Sequence, residues 1–131
     1  MDTSLIDLRI VGLDADKTQP SHRASGLRHI YLRLSSHPPA VWAKCFAQSR
    51  EFPRHSMWRK CWIEGSHIVV DCVPEEIERY HLQDLKQDVE VANRDYRQWL
   101  AQREAAERRK QEAATAEQAR IAGMAARLKF D

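Results

Sequence analysis

Hydrophobic positions in the second half of the chain recur at the spacing of an α-helix. From Pro74 onward an apolar side chain returns every three or four residues, which places these residues on one stripe of a helix. The stripe consists of Ile77, Leu82, Leu85, Val89, Ala92, Tyr96, Trp99 and Leu100. Pro74 suits a first helical turn, and the glutamates after it suit the positive end of the helix dipole. The pattern predicts a helix that starts at Pro74 and buries one face as far as Leu100.

The composition of this helix changes after Leu100. From Ala101 to Arg120 the chain has no large apolar residue and consists mainly of Ala, Gln, Glu, Arg and Lys, which are strong helix formers. Gly123 is the first residue expected to break the helix. An apolar tag surrounds it, formed by Ile121, Met124, Leu128 and Phe130. We therefore expect an α+β domain over residues 1–100 and a charged helical extension with a short apolar tail over residues 101–131.

The length of this helix bears on the architecture. At 1.5 Å per residue, the stretch from Pro74 to Ala122 spans roughly 70 Å. A globular body built from the rest of the chain has a diameter of roughly 30 Å. The sequence therefore predicts a long projecting C-terminal helix, unless the helix bends back or pairs with another chain.

Two earlier segments alternate between apolar and polar residues. They are Leu5 to Val11 and Arg28 to Leu34, and both patterns predict half-buried strands. Between them, Gly12 to Gly26 is polar and contains Pro20, which predicts a long loop. After Pro38 and Pro39 the apolar residues return at helical spacing, which predicts a helix that ends at about Glu51.

A hairpin is the clearest local feature. Two runs rich in β-branched and aromatic residues, Trp58 to Glu64 and His67 to Cys72, flank the dipeptide Gly65-Ser66. A two-residue Gly-Ser loop is typical of a type II′ hairpin, and this register pairs Glu64 with His67.

These elements run in the order ββαββα. Each helix has one apolar stripe, and the predicted sheet has one apolar face to cover it. We therefore expect an α+β fold: a two-layer domain with a four-stranded, mainly antiparallel sheet, both helices on one face, and the long projecting C-terminal helix.

Composition adds limits to this fold. Hydrophobic residues make up 43% of the chain and charged residues 31%, which is typical of a water-soluble globular protein with a charged helix. No apolar run approaches the ~18 residues of a membrane span, and no signal peptide is evident, so we expect a cytoplasmic protein that binds no membrane. The net charge of +2 is too small to indicate nucleic acid by itself. Three cysteines are too few for a disulfide framework, so reduced thiols are expected.

The side chains expected on the outer face of the sheet combine cations with aromatic rings. They are Arg9, His29, Tyr31, Arg33, Lys60, Trp58 and Trp62. Bases stack on rings while cations follow phosphates, so this face suits single-stranded nucleic acid. Other interpretations remain open: the rings pack under the long loop or against a second subunit, and Lys60 forms an ordinary cross-strand pair with Asp71. The order of elements also differs from that of an RRM.

Motifs for metal binding and catalysis are absent from the sequence. The chain contains no CxxC, HExxH or HxxxH spacing, no glycine-rich phosphate loop and no GxSxG. We therefore expect no catalytic residue, no metal site and no cofactor. An enzyme that a partner completes, with a pocket lined by His29, Tyr31 or His55, is the third hypothesis.

The first hypothesis follows from the long helix. It predicts a non-enzymatic interaction or scaffold module that self-associates, or binds a protein partner, through its C-terminal helix as an oligomer or coiled coil. Its expected interface residues are Val89, Tyr96, Trp99, Leu100, Ile121, Met124 and Leu128. Binding of single-stranded nucleic acid by the outer sheet face is the alternative.

Overall fold

The structure is a computed structural model that describes residues 7–21 and 26–130. Its strands are β1 (Ile10–Pro20), β2 (Arg28–Leu34), β3 (Cys61–Glu64) and β4 (His67–Cys72). Its helices are α1 (Ala40–Ser49), a π-helical segment (Ile77–His81) and α2 (Leu82–Arg127). The chain divides into two units, Met1–Arg97 and Gln98–Asp131.

The first unit contains a four-stranded antiparallel sheet with the strand order β1-β2-β4-β3. This confirms the predicted α+β fold. Strand β2 has the bounds predicted from its alternating pattern, and α1 lies within the range predicted for the first helix. Because β2 and β4 are central, each is hydrogen-bonded to a strand on both sides.

The hairpin has the predicted register. Ile63 lies opposite Ile68 and Glu64 opposite His67. Gly65 has a φ of 60°, and Ser66 is not among the described residues with positive φ. A positive φ at the first central residue alone is the signature of a type II′ turn, whose twist matches that of the flanking strands. The ladder of β3 begins at Cys61 rather than Trp58, so the predicted first strand was too long at its start.

Strand β1 corrects the prediction for the start of the chain. The structure has a strand at Ile10–Pro20, where the sequence predicted the end of a strand and then a loop. Leu5 and Ile6 of the predicted strand lie outside the described residues, as does the part of the predicted loop at residues 22–25. The ladder with β2 shifts register between Asp14 and Gln19. A polar, irregular sequence is tolerated here because β1 is an edge strand that is exposed along most of its length.

The core lies between the sheet and the helices of the first unit. From the sheet it contains Ile30, Leu32, Leu34, Ile68, Val70 and Cys72, all at most 5% exposed. From the helices it contains Trp42, Phe46, Leu85, Val89 and Ala92. The rings of Trp42 and Phe46 stack with their centroids 5.8 Å apart. Of the stripe predicted for the first half of the long helix, Ile77, Leu85, Val89, Ala92 and Tyr96 are buried, and Leu82, Trp99 and Leu100 are half-buried.

One buried amide joins three parts of this core. Asn93 Oδ1 accepts hydrogen bonds from the Leu8 backbone N–H at 3.0 Å and from Trp42 Nε1 at 2.8 Å. Its Nδ2 donates to the Leu8 carbonyl at 2.8 Å. The segment before β1 is thereby tied to α1 and α2 through a single side chain.

The long helix starts with a wide turn. After Pro74 the backbone is helical from Glu75, and Ile77–His81 is π-helical before α2 continues as a regular α-helix. The Leu82 N–H donates to the Ile77 carbonyl, which is the i to i+5 bond of a π-helix. The sequence did not predict this segment.

The second unit consists of the C-terminal part of α2 and the residues after it. The helix continues through Gly123 to Arg127, so the predicted break at Gly123 was wrong. A glycine inside a helix costs only about 1 kcal/mol relative to alanine, and the alanines around it support the helix. In the parts of the chain that the structure describes, no helix combines the length and apolarity needed to cross a bilayer.

Candidate functional site

The outer face of the sheet gathers polar and aromatic side chains in register. Tyr31 lies opposite Asp14 on one side and Val69 on the other, and Val69 lies opposite Trp62. Arg33 lies opposite His67. We call this surface the outer face and define it by His29, Tyr31, Arg33, Trp62, Glu64 and His67.

Glu64 organises the aromatic part of the outer face. Its Oε2 accepts hydrogen bonds from the Tyr31 hydroxyl at 3.2 Å and from Trp62 Nε1 at 3.3 Å. The rings of His29 and Trp62 meet edge to face at 5.2 Å, and those of Tyr31 and His67 at 5.6 Å. Tyr31 is only 5% exposed, so the most central ring offers little surface to a ligand.

A second carboxylate neutralises charge on the same face. Asp14 Oδ2 lies 3.0 Å from His67 Nε2. Partial burial raises the pKa of Asp14, but the hydrogen bond with His67 and the positive charge of Arg33 outweigh it and hold the pKa below its ordinary value. The outer face therefore carries both signs of charge instead of an uninterrupted basic surface.

The structure brings together five of the seven residues predicted for a nucleic-acid face. His29, Tyr31, Arg33 and Trp62 share the outer face, and Lys60 Nζ lies 5.9 Å from the Trp62 ring. Arg9 is exposed, and its backbone pairs with Ser35 next to the end of β2.

Trp58 belongs to a different group. The Arg50 guanidinium lies 3.7 Å from the centre of its ring, and that of Arg54 lies 4.6 Å from it. Its Nε1 donates to the Arg50 carbonyl at 3.4 Å. These contacts hold Trp58 against the segment that follows α1.

Both of these arginines converge on a buried carboxylate. Asp88 is 0% exposed and accepts hydrogen bonds from Arg50 at 2.9 Å, Arg54 at 2.8 Å and the Ser49 hydroxyl at 2.6 Å. One turn earlier, Asp84 Oδ2 lies 2.5 Å from His55 Nε2. The carboxylates of α2 thus fix the irregular chain between α1 and β3. His55 pairs with Asp84 of α2, whereas His29 and Tyr31 contact Trp62 and Glu64 on the sheet.

A third polar group lies at the start of the long helix. The Glu76 carboxylate accepts two hydrogen bonds from the Arg59 guanidinium, each 2.9 Å long. Its Oε1 also lies 3.1 Å from His81 Nε2. The hydrogen bonds from Arg59 hold the pKa of Glu76 below its ordinary value. The Cys72 thiol joins this group, and ligand atoms of Cys72, Glu76 and His81 all lie within 4.8 Å of one another.

The thiol of this group is protonated at neutral pH when no metal is bound. Burial, reinforced by the charge of Glu76, raises the pKa of Cys72 to about 12. Burial also raises the pKa of Cys45 and Cys61. All three cysteines are free thiols, as expected from their number.

The sequence did not identify two sets of buried polar residues: Asp88 and Asn93 of α2, and the group formed by Cys72, Glu76 and His81. Asp88 and Asn93 each stand next to a residue of the apolar stripe in the sequence, but nothing local identified their burial or their partners. Cys72, Glu76 and His81 match no metal motif because Glu76 and His81 are five residues apart, a spacing that does not converge on an α-helix.

The residues predicted for a partner interface fall into three classes by exposure. Val89 and Tyr96 are 3% and 8% exposed, so the chain itself covers them. Trp99 and Leu100 are half-buried. Ile121, Met124 and Leu128 are 46%, 47% and 53% exposed, and Phe130 is 86% exposed.

Tyr31 provides a spectroscopic test of the outer face. Burial, with the charge and hydrogen bond of Glu64, raises the pKa of Tyr31 above its ordinary value of about 10. We expect ultraviolet difference titration to show that the Tyr31 phenol ionises later than a free tyrosine. Glu64→Gln removes the negative charge and should move this step toward the ordinary value, whereas Glu104→Gln, on the second unit, should leave it in place.

The sign of the effect on stability follows from the direction of this shift. A phenol with a raised pKa in the folded state stabilises the fold at pH values below about 10. This contribution is lost as the pH rises through the pKa of folded Tyr31. Titration of all the tyrosines in one step at the ordinary value would contradict the contacts of the outer face.

The chain matches no family model, no curated protein and no solved structure in the three comparisons made with known proteins.

Proposed function

We propose that the protein is a non-enzymatic interaction module that associates with a second copy of itself through the C-terminal end of α2. The observation that carries this proposal is the exposure of the apolar tag, Ile121, Met124, Leu128 and Phe130, whose side chains are 46–86% exposed. Exposed apolar side chains that cluster on one element are typical of contact surfaces.

The spacing of the tag supports a helical contact. Ile121 and Met124 lie on one side of the helix, and Leu128, directly after its end, continues the i, i+3, i+7 pattern. The Leu128 N–H still donates to the Met124 carbonyl at 3.2 Å. Residues 106 to 120 are all exposed. Most helical stability in proteins comes from packing of an apolar face, so pairing would stabilise this end of α2.

The charges of the second unit favour a second copy as the partner. Between residues 98 and 127 glutamates and basic residues are interspersed, and one of them, Glu117, pairs with Arg120 at 2.8 Å. Helices with both signs of charge can pair with each other without strong repulsion. The tag is nevertheless small compared with the ~800 Å² per partner of a standard interface. We therefore expect weak association, with a dissociation constant on the order of tens of micromolar.

Sedimentation velocity over a concentration series tests this proposal. We expect the weight-average mass of the wild-type chain to rise with concentration, and the double variant Met124→Lys/Leu128→Lys to remain a monomer. Ala119→Lys/Ala126→Lys is the matched control, because both alanines are exposed and lie on the opposite side of the helix. A wild-type chain that stays monomeric into the hundreds of micromolar, or a control that dissociates as readily as the tag variant, would contradict the proposal.

Binding of single-stranded nucleic acid has less support. On the outer face the Tyr31 hydroxyl already donates to Glu64, and His67 already pairs with Asp14. The Tyr31 ring is also buried. Binding that weakens steeply with salt and with Arg33→Ala would favour this alternative. Trp62→Ala tests the contribution of stacking separately.

A further inference from the structure

We propose that Cys72, Glu76 and His81 form a binding site for a Zn²⁺ ion. Ligand atoms of the three side chains lie within 4.8 Å of one another. A thiolate, a carboxylate and an imidazole are each zinc ligands in proteins, and a site with a soft sulfur donor and an imidazole nitrogen favours zinc over magnesium or calcium. This site is independent of the proposed self-association.

The backbone at the site is built in an unusual way that brings two of the ligands together. Glu76 directly precedes the π-helical segment and His81 is its last residue, so the two are five residues apart. On an α-helix residues five apart point in different directions, whereas the wide i to i+5 turn returns the chain to the same side. The π-helical turn is thus the reason that His81 Nε2 reaches Glu76 Oε1.

The observed separation suits a bridging ion as well as a hydrogen bond. His81 Nε2 and Glu76 Oε1 are 3.1 Å apart. With zinc bonds of about 2.0–2.1 Å to each atom, a tetrahedral angle places the two ligand atoms about 3.3 Å apart. The Cys72 sulfur would then lie about 3.6 Å from the imidazole nitrogen. Since the ligand atoms now lie within 4.8 Å of one another, zinc needs the sulfur to approach by about 1.2 Å at most.

The surroundings hold the ligands in place. Cys72 is 0% and His81 2% exposed, and Cys72 ends the central strand β4, which is rigidly paired. Arg59 orients the Glu76 carboxylate through its two hydrogen bonds, as supporting residues do around metal ligands. On binding, the proton of the Cys72 thiol passes to solvent, so that the thiolate and Glu76 offset the charge of the ion.

The positive charge of Arg59 also has a counterpart. Asp71, next to Cys72 in β4, is fully buried and interacts electrostatically with both Arg59 and Cys72. The two positive charges of zinc and the one of Arg59 are thus offset by Asp71, Glu76 and the Cys72 thiolate. The three protein ligands leave a fourth position of the tetrahedron for water or another small ligand.

Titration of the full-length chain with Co²⁺, a spectroscopic substitute for zinc, tests the site. We expect one equivalent to give the near-ultraviolet absorption of a thiolate-to-cobalt bond and the visible bands of a tetrahedral ion. Added Zn²⁺ should displace the cobalt stoichiometrically and raise the melting temperature. Cys72→Ser should remove the thiolate band and weaken binding by about 100-fold or more.

Cys45→Ser is the matched control, because Cys45 is also buried but lies outside the group. We expect it to keep the band and the affinity of the wild-type chain. Absence of a thiolate band in the folded wild-type protein would overturn the site, whether or not the variants fold. A band that Cys45→Ser abolishes and Cys72→Ser preserves would overturn it equally.

Discussion

Asn93→Ala is expected to lower the free energy of unfolding by about 3–5 kcal/mol, because three buried groups lose a hydrogen-bond partner at once. The Leu8 N–H, the Leu8 carbonyl and Trp42 Nε1 all bond to this one amide, which is 7% exposed. Each buried group left unsatisfied costs about 1–3 kcal/mol. The effect is large because the amide joins the start of the chain to both helices.

Equilibrium unfolding in urea measures this change. Asn93→Asp keeps an acceptor for the two N–H groups but loses the donor to the Leu8 carbonyl, so it should fall between the wild type and Asn93→Ala. Arg94→Ala is the control, since its side chain is 67% exposed and forms a surface ion pair with the neighbouring Asp95. A loss below 1 kcal/mol for Asn93→Ala would show that the described contacts do not hold Leu8 in place.

Asp88→Ala is the second variant with a large expected effect. It should lower the free energy of unfolding by about 3–5 kcal/mol. Breaking a buried ion pair on one side leaves the other charge buried without compensation. Asp88 is 0% exposed, and the Arg50 side chain that bonds to it is 7% exposed. The variant should also loosen the segment between α1 and β3, which Arg50 and Arg54 hold against α2.

Urea unfolding combined with tryptophan fluorescence separates these two consequences. Trp58 stacks on both arginines, so its emission should change before the global transition in Asp88→Ala. Asp84→Ala is matched in residue type and helix, but its partner His55 is 35% exposed, so a loss of at most about 1 kcal/mol is expected. Equal effects from the two variants would contradict the assignment of Asp88 as the anchor.

Local patterns in the sequence were sufficient for the elements with regular periodicity. Strand β2 alternates strictly, and Gly65-Ser66 specifies both the turn and the register of the hairpin. The part of strand β1 after Val11 was missed because its polar sequence has little strand propensity. It is a strand only because β2 offers an edge to pair with, and such non-local pairing cannot be read from a short window.

The candidate sites depended even more on contacts that are distant in sequence. The sequence did not predict the group of Cys72, Glu76 and His81, because residues five apart share one side only of a π-helical turn. Nothing in the residues from Ile77 to His81 predicts such a turn. The outer face was largely predicted from strand alternation. The position of Trp58 was not, because the ladder of β3 starts after it.

Amide hydrogen exchange of residues 121–130, compared at low and high protein concentration, tests the proposed self-association most directly. We predict that protection of this segment rises with concentration, and that the Met124→Lys/Leu128→Lys variant exchanges rapidly at every concentration. Rapid exchange of the wild-type segment at all concentrations, with the sheet of the first unit still protected, would contradict the proposal that a second copy covers the tag.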